Sequence, residues 1–316
     1  MYDIGIDVGG TSIVAGLVDA DYKIVARKVI PTDRTMTAKA LCDTLLDISR
    51  DLLIERHISA KAVKSIGVGV PGTANDKTGR IEYANNLPDC QGSVRPILQG
   101  MVSQKVYMEN DANAAAWGEY ICMTEKPESM VMITLGTGVG GGIIQSGRLV
   151  KGINYAEAEF GHMTIKFDGL PCNCGRKGCF EVYASGEALA NQARKKMGKK
   201  PGSLMWDLCG GNLERMEGRL VFDAVRQGDK AAAKVLDKYV EYLSEGVANV
   251  INMLQPEVLC IGGGISRAED LLIPVLQEKV HKKLYSRLSE KNTIIRVSRL
   301  GADAGIVGAA KLRRMK

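Results

Sequence analysis

Two segments of the chain follow the same order of a strand, a glycine-rich turn and a second strand. The first covers residues 2–18 and turns at 9–12, and the second covers residues 130–144 and turns at 136–138. The apolar runs on either side of each turn have the composition of strands. Two such hairpins predict a duplicated α/β unit, and a chain of 316 residues is long enough for two packed lobes.

Helical and strand-like segments alternate along the rest of the chain. The predicted helices cover 37–57, 111–117, 185–197, 229–254 and 303–313, and further strands are predicted at 23–30, 65–70, 105–108 and 257–261. Pro256 is expected to stop the long fourth helix. These patterns predict a mixed α/β fold.

Composition and charge exclude several classes of partner. The net charge of +6 is modest, and the densest basic stretches, 194–200 and 311–316, are interpreted as a solvated helix face and a chain end rather than nucleic-acid contacts. We find no secretory pattern at the start and no apolar stretch of membrane-spanning length. Five of the eight cysteines are scattered and read as reduced thiols. We therefore expect a cytoplasmic protein with neither nucleic-acid nor membrane partners.

One histidine and three cysteines occur at metal-ligand spacing in the middle of the chain: His162, Cys172, Cys174 and Cys179. Three thiolates and one imidazole form a standard tetrahedral zinc set, and four protein ligands make such a zinc structural. The second ring nitrogen of the histidine would then be an oriented hydrogen-bonding group. The alternatives are unligated thiols or a nucleic-acid-binding zinc knuckle, but the latter lacks interleaved aromatic residues and a basic surround.

The two glycine-rich turns are candidate phosphate-binding loops, because such turns direct backbone N–H groups at an anion. The candidate residues are Gly9, Gly10, Thr11, Thr137 and Gly138. Neither turn is a Walker A or dinucleotide motif, and the alternative is a plain hairpin turn. Asp7, at the end of its strand, could hold Mg²⁺ directly or through water. A third turn around Gly263 suits a flat ligand such as adenine or ribose, the alternative being a strand-to-helix connection.

Asn110 and Asp111 lie where a strand passes into a helix, the position at which α/β sheets present ligand-binding residues. The Asp111 carboxylate could accept the proton of an attacking hydroxyl, with Asn110 fixing another hydroxyl of the same substrate. The alternative is that Asp111 is only the N-cap of the following helix.

Taken together, these motifs resemble the ROK family (repressors, open reading frames and kinases) in the family's own order from residue 3 to about residue 310. The resemblance rests on Asp7-Val-Gly-Gly-Thr11, Glu109-Asn-Asp-Ala-Asn113, Leu135-Gly-Thr-Gly-Val-Gly-Gly141, Glu159-x-Gly-His162 and the three clustered cysteines. Within the family, the chain is most similar to the bacterial ATP-dependent glucokinases.

The resemblance implies an actin/hexokinase-like ATPase fold of two ribonuclease-H-like lobes, with the active site in the cleft between them. The expected small lobe covers 1–112, with a C-terminal helix at 302–316 packing back on it. The expected large lobe covers 113–301 and includes the zinc knuckle. The resemblance also implies ATP, Mg²⁺ and structural Zn²⁺ as cofactors, and a homodimer.

The implied activity is ATP-dependent phosphorylation of the 6-hydroxyl of a hexose, with glucose as the favoured substrate. Asp111 matches the family's catalytic base. The positions matching sugar contacts are Gly72, Asn110, Asp111, Glu159, His162 and Glu181. Asp7 is the expected Mg²⁺ holder, and the positions matching nucleotide and phosphate contacts are Gly9, Gly10, Thr11, Thr137, Gly138 and Gly263. The zinc ligands match His162, Cys172, Cys174 and Cys179.

Three other functions remain open at this point. The chain could be a kinase for N-acetylmannosamine, N-acetylglucosamine, fructose, mannose or allose, since these enzymes share the motifs. It could be a sugar-binding regulator, but the first phosphate loop begins almost at Met1, which leaves no room for a DNA-binding module. A chaperone or filament protein shares the lobes but has no use for sugar-facing Glu159, His162 and Glu181.

Overall fold

A computed structural model of the protein describes residues 1–315, which form two compact units. Unit 1 contains 1–132, 142–158 and the segment from Ala302, and unit 2 contains 133–141 and 159–301. The lobe boundaries expected at 112 and 301 do not coincide with this division, and they stay a prediction. Lys316, the last residue of the expected segment 302–316, lies outside the described residues.

The strands and helices are numbered in chain order. The strands are β1 (Tyr2–Val8), β2 (Ser12–Val18), β3 (Ile24–Pro31), β4 (Val63–Val70), β5 (Thr73–Asn75), β6 (Arg80–Tyr83), β7 (Gly92–Ser93), β8 (Lys105–Asn110), β9 (Ser129–Leu135), β10 (Val139–Gln145), β11 (Arg148–Leu149), β12 (Val258–Gly262) and β13 (Ile294–Val297). The α-helices are α1 (Ala38–Glu55), α2 (Val94–Met101), α3 (Asp111–Cys122), α4 (Glu181–Ala184), α5 (Gly186–Met197), α6 (Met205–Leu208), α7 (Gly218–Arg226), α8 (Lys230–Leu254), α9 (Glu269–Lys283) and α10 (Ala304–Ala310).

Unit 1 is built on a five-stranded sheet of order β3-β2-β1-β4-β8. The first three strands are antiparallel neighbours, whereas β4 and β8 run parallel to β1. The register pairs Asp7 with Gly69 and Gly69 with Glu109, so the carboxyl ends of the three parallel strands lie at one edge. This edge is where an α/β sheet presents ligand-binding groups, and it carries the residues that follow each strand.

The two faces of this sheet pack against different helices because alternate side chains of a strand point in opposite directions. Ile4 and Ile6 belong to the core cluster that contains Leu41 and Leu45 of α1. The opposite face of β1 packs against α10. At Gly5 a Cβ atom would lie 2.0 Å from the carbonyl oxygen of Ile306, so only glycine lets the α10 backbone approach this closely.

A buried ion cluster fixes the C-terminal segment to β1. Lys311 Nζ lies 2.7 Å from Asp3 Oδ2, and Arg313 Nε lies 2.9 Å from Oδ1, to which Ser65 also donates a hydrogen bond. Burial alone would raise the pKa of Asp3, but Lys311 and Arg313 outweigh it and lower the pKa. The helix predicted to run to 313 ends at Ala310, where the chain turns and inserts the Lys311 side chain beside Asp3.

The second five-stranded sheet has the order β11-β10-β9-β12-β13. Its strands β9 and β10 belong partly to each unit, and β12 pairs in parallel with β13. In unit 2, α8 packs against α5, α7 and α9. The Asp229 side chain caps α8 by accepting from two backbone N–H groups, and the helix ends at Leu254, as predicted, with Gln255 (φ 42°) as its C-cap before Pro256. Across residues 1–315, none of the helices has both the length and the apolar character needed to cross a membrane.

Several elements have no counterpart in the sequence-based prediction. These are the small sheet β5-β6-β7 and the elements α2, α4, α6, α7, α9, β11 and β13. The strands of the small sheet are two to four residues long, too short for a period-2 pattern to be recognised. Helix α9 contains Pro274, a residue that argues against a helix interior.

Candidate active site

The turn between β1 and β2 is held by the segment that follows β3. The carbonyl oxygen of Gly9 accepts from Thr32 Oγ1 at 2.7 Å, and that of Gly10 accepts from Arg34 Nε at 2.9 Å. The carbonyl oxygen of Thr11 accepts from the backbone N–H of Thr32 at 3.1 Å. Because these carbonyl oxygens already accept hydrogen bonds, their negative partial charge repels a phosphate less. Sequence reasoning missed Thr32 and Arg34, which follow no motif and contact the turn only through the fold.

Asp7 lies at the carboxyl end of β1 on the face that packs against α10. A Cβ atom on Gly305 would lie 2.5 Å from Asp7 Oδ2, so the carboxylate faces the first turn of that helix. Burial raises the pKa of Asp7 to about 6, and the nearby Arg27 guanidinium opposes this shift. A buried carboxylate with a raised pKa gains from an adjacent cation, and oxygen ligands are those that Mg²⁺ prefers. The donor chemistry of Asp7 therefore fits the predicted magnesium role.

The junction of β8 and α3 decides between the two interpretations of Asp111. Asn110 is the N-cap of α3, since its side-chain oxygen accepts from the backbone N–H of Asn113 at 3.0 Å. Asp111 is the first residue of the helix, and its Oδ1 accepts from the N–H of Ala112 at 2.8 Å. The capping interpretation of Asp111 is therefore wrong, although one oxygen of this first-turn carboxylate does accept from the helix backbone.

Asn110 also ties the loop after β4 to the same edge of the sheet. Its Nδ2 donates to the carbonyl oxygen of Gly72 at 2.9 Å. Gly72 has φ 80°, and a Cβ atom there would lie 2.0 Å from the carbonyl oxygen of Tyr83. Unit 1 thus gathers Asp7, the 9–11 turn, Gly72, Asn110 and Asp111 at the carboxyl ends of β1, β4 and β8.

In unit 2, the four predicted zinc ligands lie together. Their ligand atoms are all within 4.8 Å of one another. Cys174 Sγ lies 3.6 Å from Cys179 Sγ, and Cys172 Sγ lies 3.7 Å from His162 Nδ1. Thiolates about 2.3 Å from a tetrahedral zinc would be separated by roughly 3.8 Å, so this arrangement fits the ion.

The remaining ring nitrogen of His162 faces a carboxylate. Nδ1 is the nitrogen beside the cysteines, and Nε2 lies 4.0 Å from Glu159 Oε2. Burial raises the pKa of Glu159; His162 opposes the shift, and the Glu181 carboxylate adds to it. The other two predicted sugar-contacting residues of this unit, His162 and Glu181, therefore both act on the Glu159 carboxylate.

Glu181 contacts the second glycine-rich turn. Its Oε2 accepts from the backbone N–H of Val139 at 2.9 Å, and a Cβ atom on Gly138 would lie 2.2 Å from the same oxygen. Only glycine therefore lets this carboxylate reach the turn that contains Thr137. In unit 2, a hydrogen bond therefore links Glu181, a predicted sugar contact, to the turn that contains the predicted phosphate contacts.

A cavity of about 670 Å³ opens beside this turn, a size typical of small-molecule sites. Four of its lining residues are glycines, which allow a flat ligand close to the backbone: Gly136, Gly186, Gly218 and Gly264. Thr137 also lines it, whereas Gly263, with φ 81°, precedes the lining residue Gly264. Arg194 supports one wall by donating to the carbonyl oxygens of Leu213 and Met216.

Most of the cavity wall was missed by sequence reasoning. Apart from the turn at 135–137, it comes from α5, the segment before α7, α7 itself and the turn after β12, and of these only the last carries a recognisable glycine signal. The arginines of the lining set were also missed: Arg194, Arg219, Arg226 and Arg267.

The sequence model of the ROK family matches residues 3–316. The chain belongs to the ROK family. The resemblance stated from the motifs is therefore confirmed over the whole chain.

ROK kinases are among the proteins most similar to it. A glucokinase of Thermotoga maritima is 34% identical over 315 residues, covering 98% of this chain and 96% of the relative. An N-acetyl-D-glucosamine kinase of Yersinia enterocolitica is 29% identical, covering 99% of both chains. The crystal structure of a ROK glucokinase of Streptomyces griseus in complex with glucose and AMPPNP superposes with a TM-score of 0.90 at 32% identity, covering 100% of both chains.

The superposition on a ROK glucokinase over the full length confirms the predicted fold class. This ROK protein has the actin/hexokinase-like ATPase fold, with two lobes of mixed α/β structure.

Proposed function

We propose that this ROK protein is a glucokinase that transfers the γ-phosphoryl group of ATP to the 6-hydroxyl of glucose. The observation that carries the proposal is the place of Asp111, a carboxylate at the carboxyl end of a parallel strand whose helix is capped by its neighbour Asn110. A sugar kinase needs such a carboxylate, whereas a binding protein does not. The full-length similarity to glucokinases supports glucose as the acceptor.

Asp111 acts in this proposal as the general base. The 6-hydroxyl oxygen attacks the γ-phosphorus, a new O–P bond forms, and the bond from the γ-phosphorus to the bridging oxygen of ADP breaks. The hydroxyl proton passes to the Asp111 carboxylate. A carboxylate of ordinary basicity suffices, because the loose transition state of phosphoryl transfer keeps this proton on the nucleophile until late. Asn110 and Gly72 contact further hydroxyls of the same sugar.

The nucleotide is assigned to the two glycine-rich turns and the cavity of unit 2. Gly9, Gly10, Thr11, Thr137 and Gly138 offer backbone and hydroxyl donors to the phosphates. The glycine-lined cavity has room for the adenosine, and Gly263 shapes the turn at its edge. Asp7 would hold Mg²⁺ directly or through water, and the ion would supply positive charge that neutralises part of the phosphate charge.

The sugar-binding residues proposed in unit 2 are Glu159, His162 and Glu181. The Cys172, Cys174 and Cys179 thiolates and His162 Nδ1 would hold a zinc ion, and such a zinc would be structural because all four ligands come from the protein. Its proposed contribution is to orient the imidazole so that Nε2 meets a sugar hydroxyl. Glu159 lies beside this nitrogen and accepts from another hydroxyl.

The second candidate is phosphorylation of N-acetylglucosamine, favoured by the N-acetyl-D-glucosamine kinase that matches 99% of the chain. Its lower identity, 29% against 34%, places it behind glucose. A homodimer and a cytoplasmic location complete the proposal. The cytoplasm supplies ATP and keeps the knuckle thiols reduced.

A coupled ADP-release assay with Mg-ATP and a panel of sugars tests the proposal. The panel contains glucose, mannose, fructose, N-acetylglucosamine, N-acetylmannosamine and allose, and we expect the highest kcat/KM with glucose. Preference for another sugar would replace the substrate and keep the mechanism. Absence of turnover with every sugar, in protein that retains its zinc, would overturn the kinase assignment.

A further inference from the structure

A buried polar cluster in unit 1 joins the start of α3 to the segment 152–158. Asn113 is 2% exposed, and its Nδ2 donates to Glu109 Oε1 and to Glu157 Oε1, both at 3.3 Å. Glu109 is 1% exposed and forms an ion pair with Lys151 at 2.8 Å. Both hydrogens of the Asn113 amide are therefore used, one for each carboxyl group.

Glu109 Oε2 is held by the Lys151 ion pair, which leaves two oxygen atoms of this cluster without a partner among the described residues. They are Asn113 Oδ1 and Glu157 Oε2, and both are inaccessible to solvent. Two buried acceptors left unpaired would each cost free energy. A proton on Glu157 Oε2 would give that oxygen an O–H to donate, and its acceptor in the proposed pair is the unpaired oxygen of the same amide that already donates to Glu157 Oε1. An acid and an amide paired in this way satisfy each other completely.

We propose that Glu157 is a positioning residue of the kinase site, which holds segment 152–158 on α3 through a protonated pair with Asn113. This inference rests on the proposed function for its catalytic consequence, but the pair itself does not. Asn113 lies two residues after Asp111 on α3, and Glu157 lies two residues before Glu159 along the chain. The pair therefore fixes the backbone close to the proposed base and to a proposed sugar contact.

The burial of Glu157 favours the neutral acid. Burial is the largest cause that raises its pKa, and the Glu109 carboxylate adds to it. The Asn113 hydrogen bond, the residue's own backbone N–H and the Lys151 ammonium act in the opposite direction. Lys151 is also paired with Asp76, which offsets part of its charge. The net result is a pKa of about 7, so ionisation falls within the working range of a cytoplasmic enzyme.

The backbone of the same segment is strained. Tyr155 has φ 62° and Ala158 has φ 60°, in the left-handed region that residues with a Cβ atom rarely adopt. Such conformations persist only where surrounding contacts hold them, and they cluster at functional sites. Glu157 lies between these two residues, and its side chain folds back toward Gly152, so its pair with Asn113 is well placed to hold the strained turn.

The first test compares wild type, Glu157→Gln and Glu157→Ala from pH 6 to pH 9, with kcat/KM for glucose as the readout. Glutamine reproduces the protonated acid, since its N–H can donate to Asn113 Oδ1 and its oxygen can accept from Nδ2. We expect the ratio of wild-type to Glu157→Gln activity to fall at least threefold between pH 6 and pH 8.5. Glu157→Ala should be impaired at every pH and Glu157→Gln should not. Glu55→Gln, an exposed change of the same chemistry at the end of α1, should follow wild type.

A second readout is independent of the reaction. The folded-state pKa of Glu157 lies above its unfolded value, so the stability it contributes is fully present below the unfolded pKa and is lost as pH rises through about 7. The Tm of wild type minus that of Glu157→Gln should therefore decrease from pH 5 to pH 8. A constant Tm difference together with parallel activity profiles overturns the inference. If no sugar is phosphorylated but the Tm difference changes as expected, the pair stands and only the proposed function fails.

Discussion

The two units hold their shares of the proposed active site by different means. In unit 1, Asp7 and Asp111 lie at the ends of regular strands, and Asn110 caps the helix that Asp111 begins. In unit 2, Glu159 precedes a single 3₁₀ turn, Phe160–His162, and the last residue of that turn belongs to the cysteine cluster. In the proposed function, regular elements place the chemical group in unit 1, whereas a zinc-binding loop places the binding groups in unit 2. A change to the unit 1 residues should therefore lower kcat, and a change to the zinc-binding loop of unit 2 should raise KM.

Asp111→Asn is the sharpest test of the unit 1 half of this comparison, and it should have the largest effect. We expect kcat to fall about a thousandfold, because a general base contributes roughly 10²–10⁴-fold. Glucose binding should be kept, since asparagine retains an oxygen that can accept from the Ala112 N–H. The helix should also be kept, because Asn110 provides the cap. Single-turnover kinetics and calorimetric titration with glucose measure the two quantities separately.

Asp47→Asn is the matched control, an aspartate on the exposed face of α1 whose side chain is 73% exposed. It should leave kcat and glucose affinity unchanged. Near-normal turnover in Asp111→Asn would show that Asp111 is not the general base. Unit 1 would then no longer be the unit that supplies the catalytic group.

Cys174→Ser tests the unit 2 half. Loss of one thiolate should release zinc and free the His162 ring, since Nδ1 is the nitrogen among the cysteines. We expect KM for glucose to rise about tenfold or more, in the range found when the shell that orients a metal site is disturbed. The fall in kcat should be smaller. Zinc content by mass spectrometry, KM and Tm are measured on the same preparation.

Cys122→Ser provides the control for this change, because Cys122 is half-buried in α3 and outside the cluster. It should keep its zinc and its KM. A Cys174→Ser enzyme that has lost zinc but binds glucose normally would show that the cluster does not shape the sugar site.

How far the sequence could predict the molecule depended on whether a feature is local in the chain. The zinc cluster lies within eighteen consecutive residues, so its spacing alone indicated the ligands that the structure brings together. The helix limits near Thr37, Ser185 and Asp229 were also predictable to within a residue or two, because each is set by a side chain capping the backbone beside it.

Features that join distant segments could not be read in advance. The cavity of unit 2 is lined by four regions of the chain, and Arg34 reaches Gly10 across 24 positions. Lys311 ends α10 early by pairing with Asp3, 308 residues away. The Glu157–Asn113 contact is of the same kind, since no local pattern connects two residues 44 positions apart. Such contacts depend on the register of the sheet and the packing of helices, which hydrophobic periodicity does not encode.

The smallest expected effect comes from Glu181→Gln, which tests whether the sugar contact and the phosphate turn of unit 2 depend on each other. Glu181 is a proposed sugar contact, and its Oε2 also accepts from the Val139 N–H beside the phosphate turn. Glutamine keeps an acceptor but loses the charge, and a charge-assisted hydrogen bond exceeds a neutral one by about 1 kcal/mol, or roughly fivefold in affinity.

We expect KM to rise by about that factor for glucose and to a lesser extent for ATP, with kcat nearly unchanged. Glu269→Gln, an exposed glutamate at the start of α9, should leave both constants unchanged. If only the KM for glucose changes, the carboxylate contacts the sugar without supporting the turn. If neither changes, unit 2 binds its ligands without Glu181, and the contrast with unit 1 rests on the zinc cluster alone.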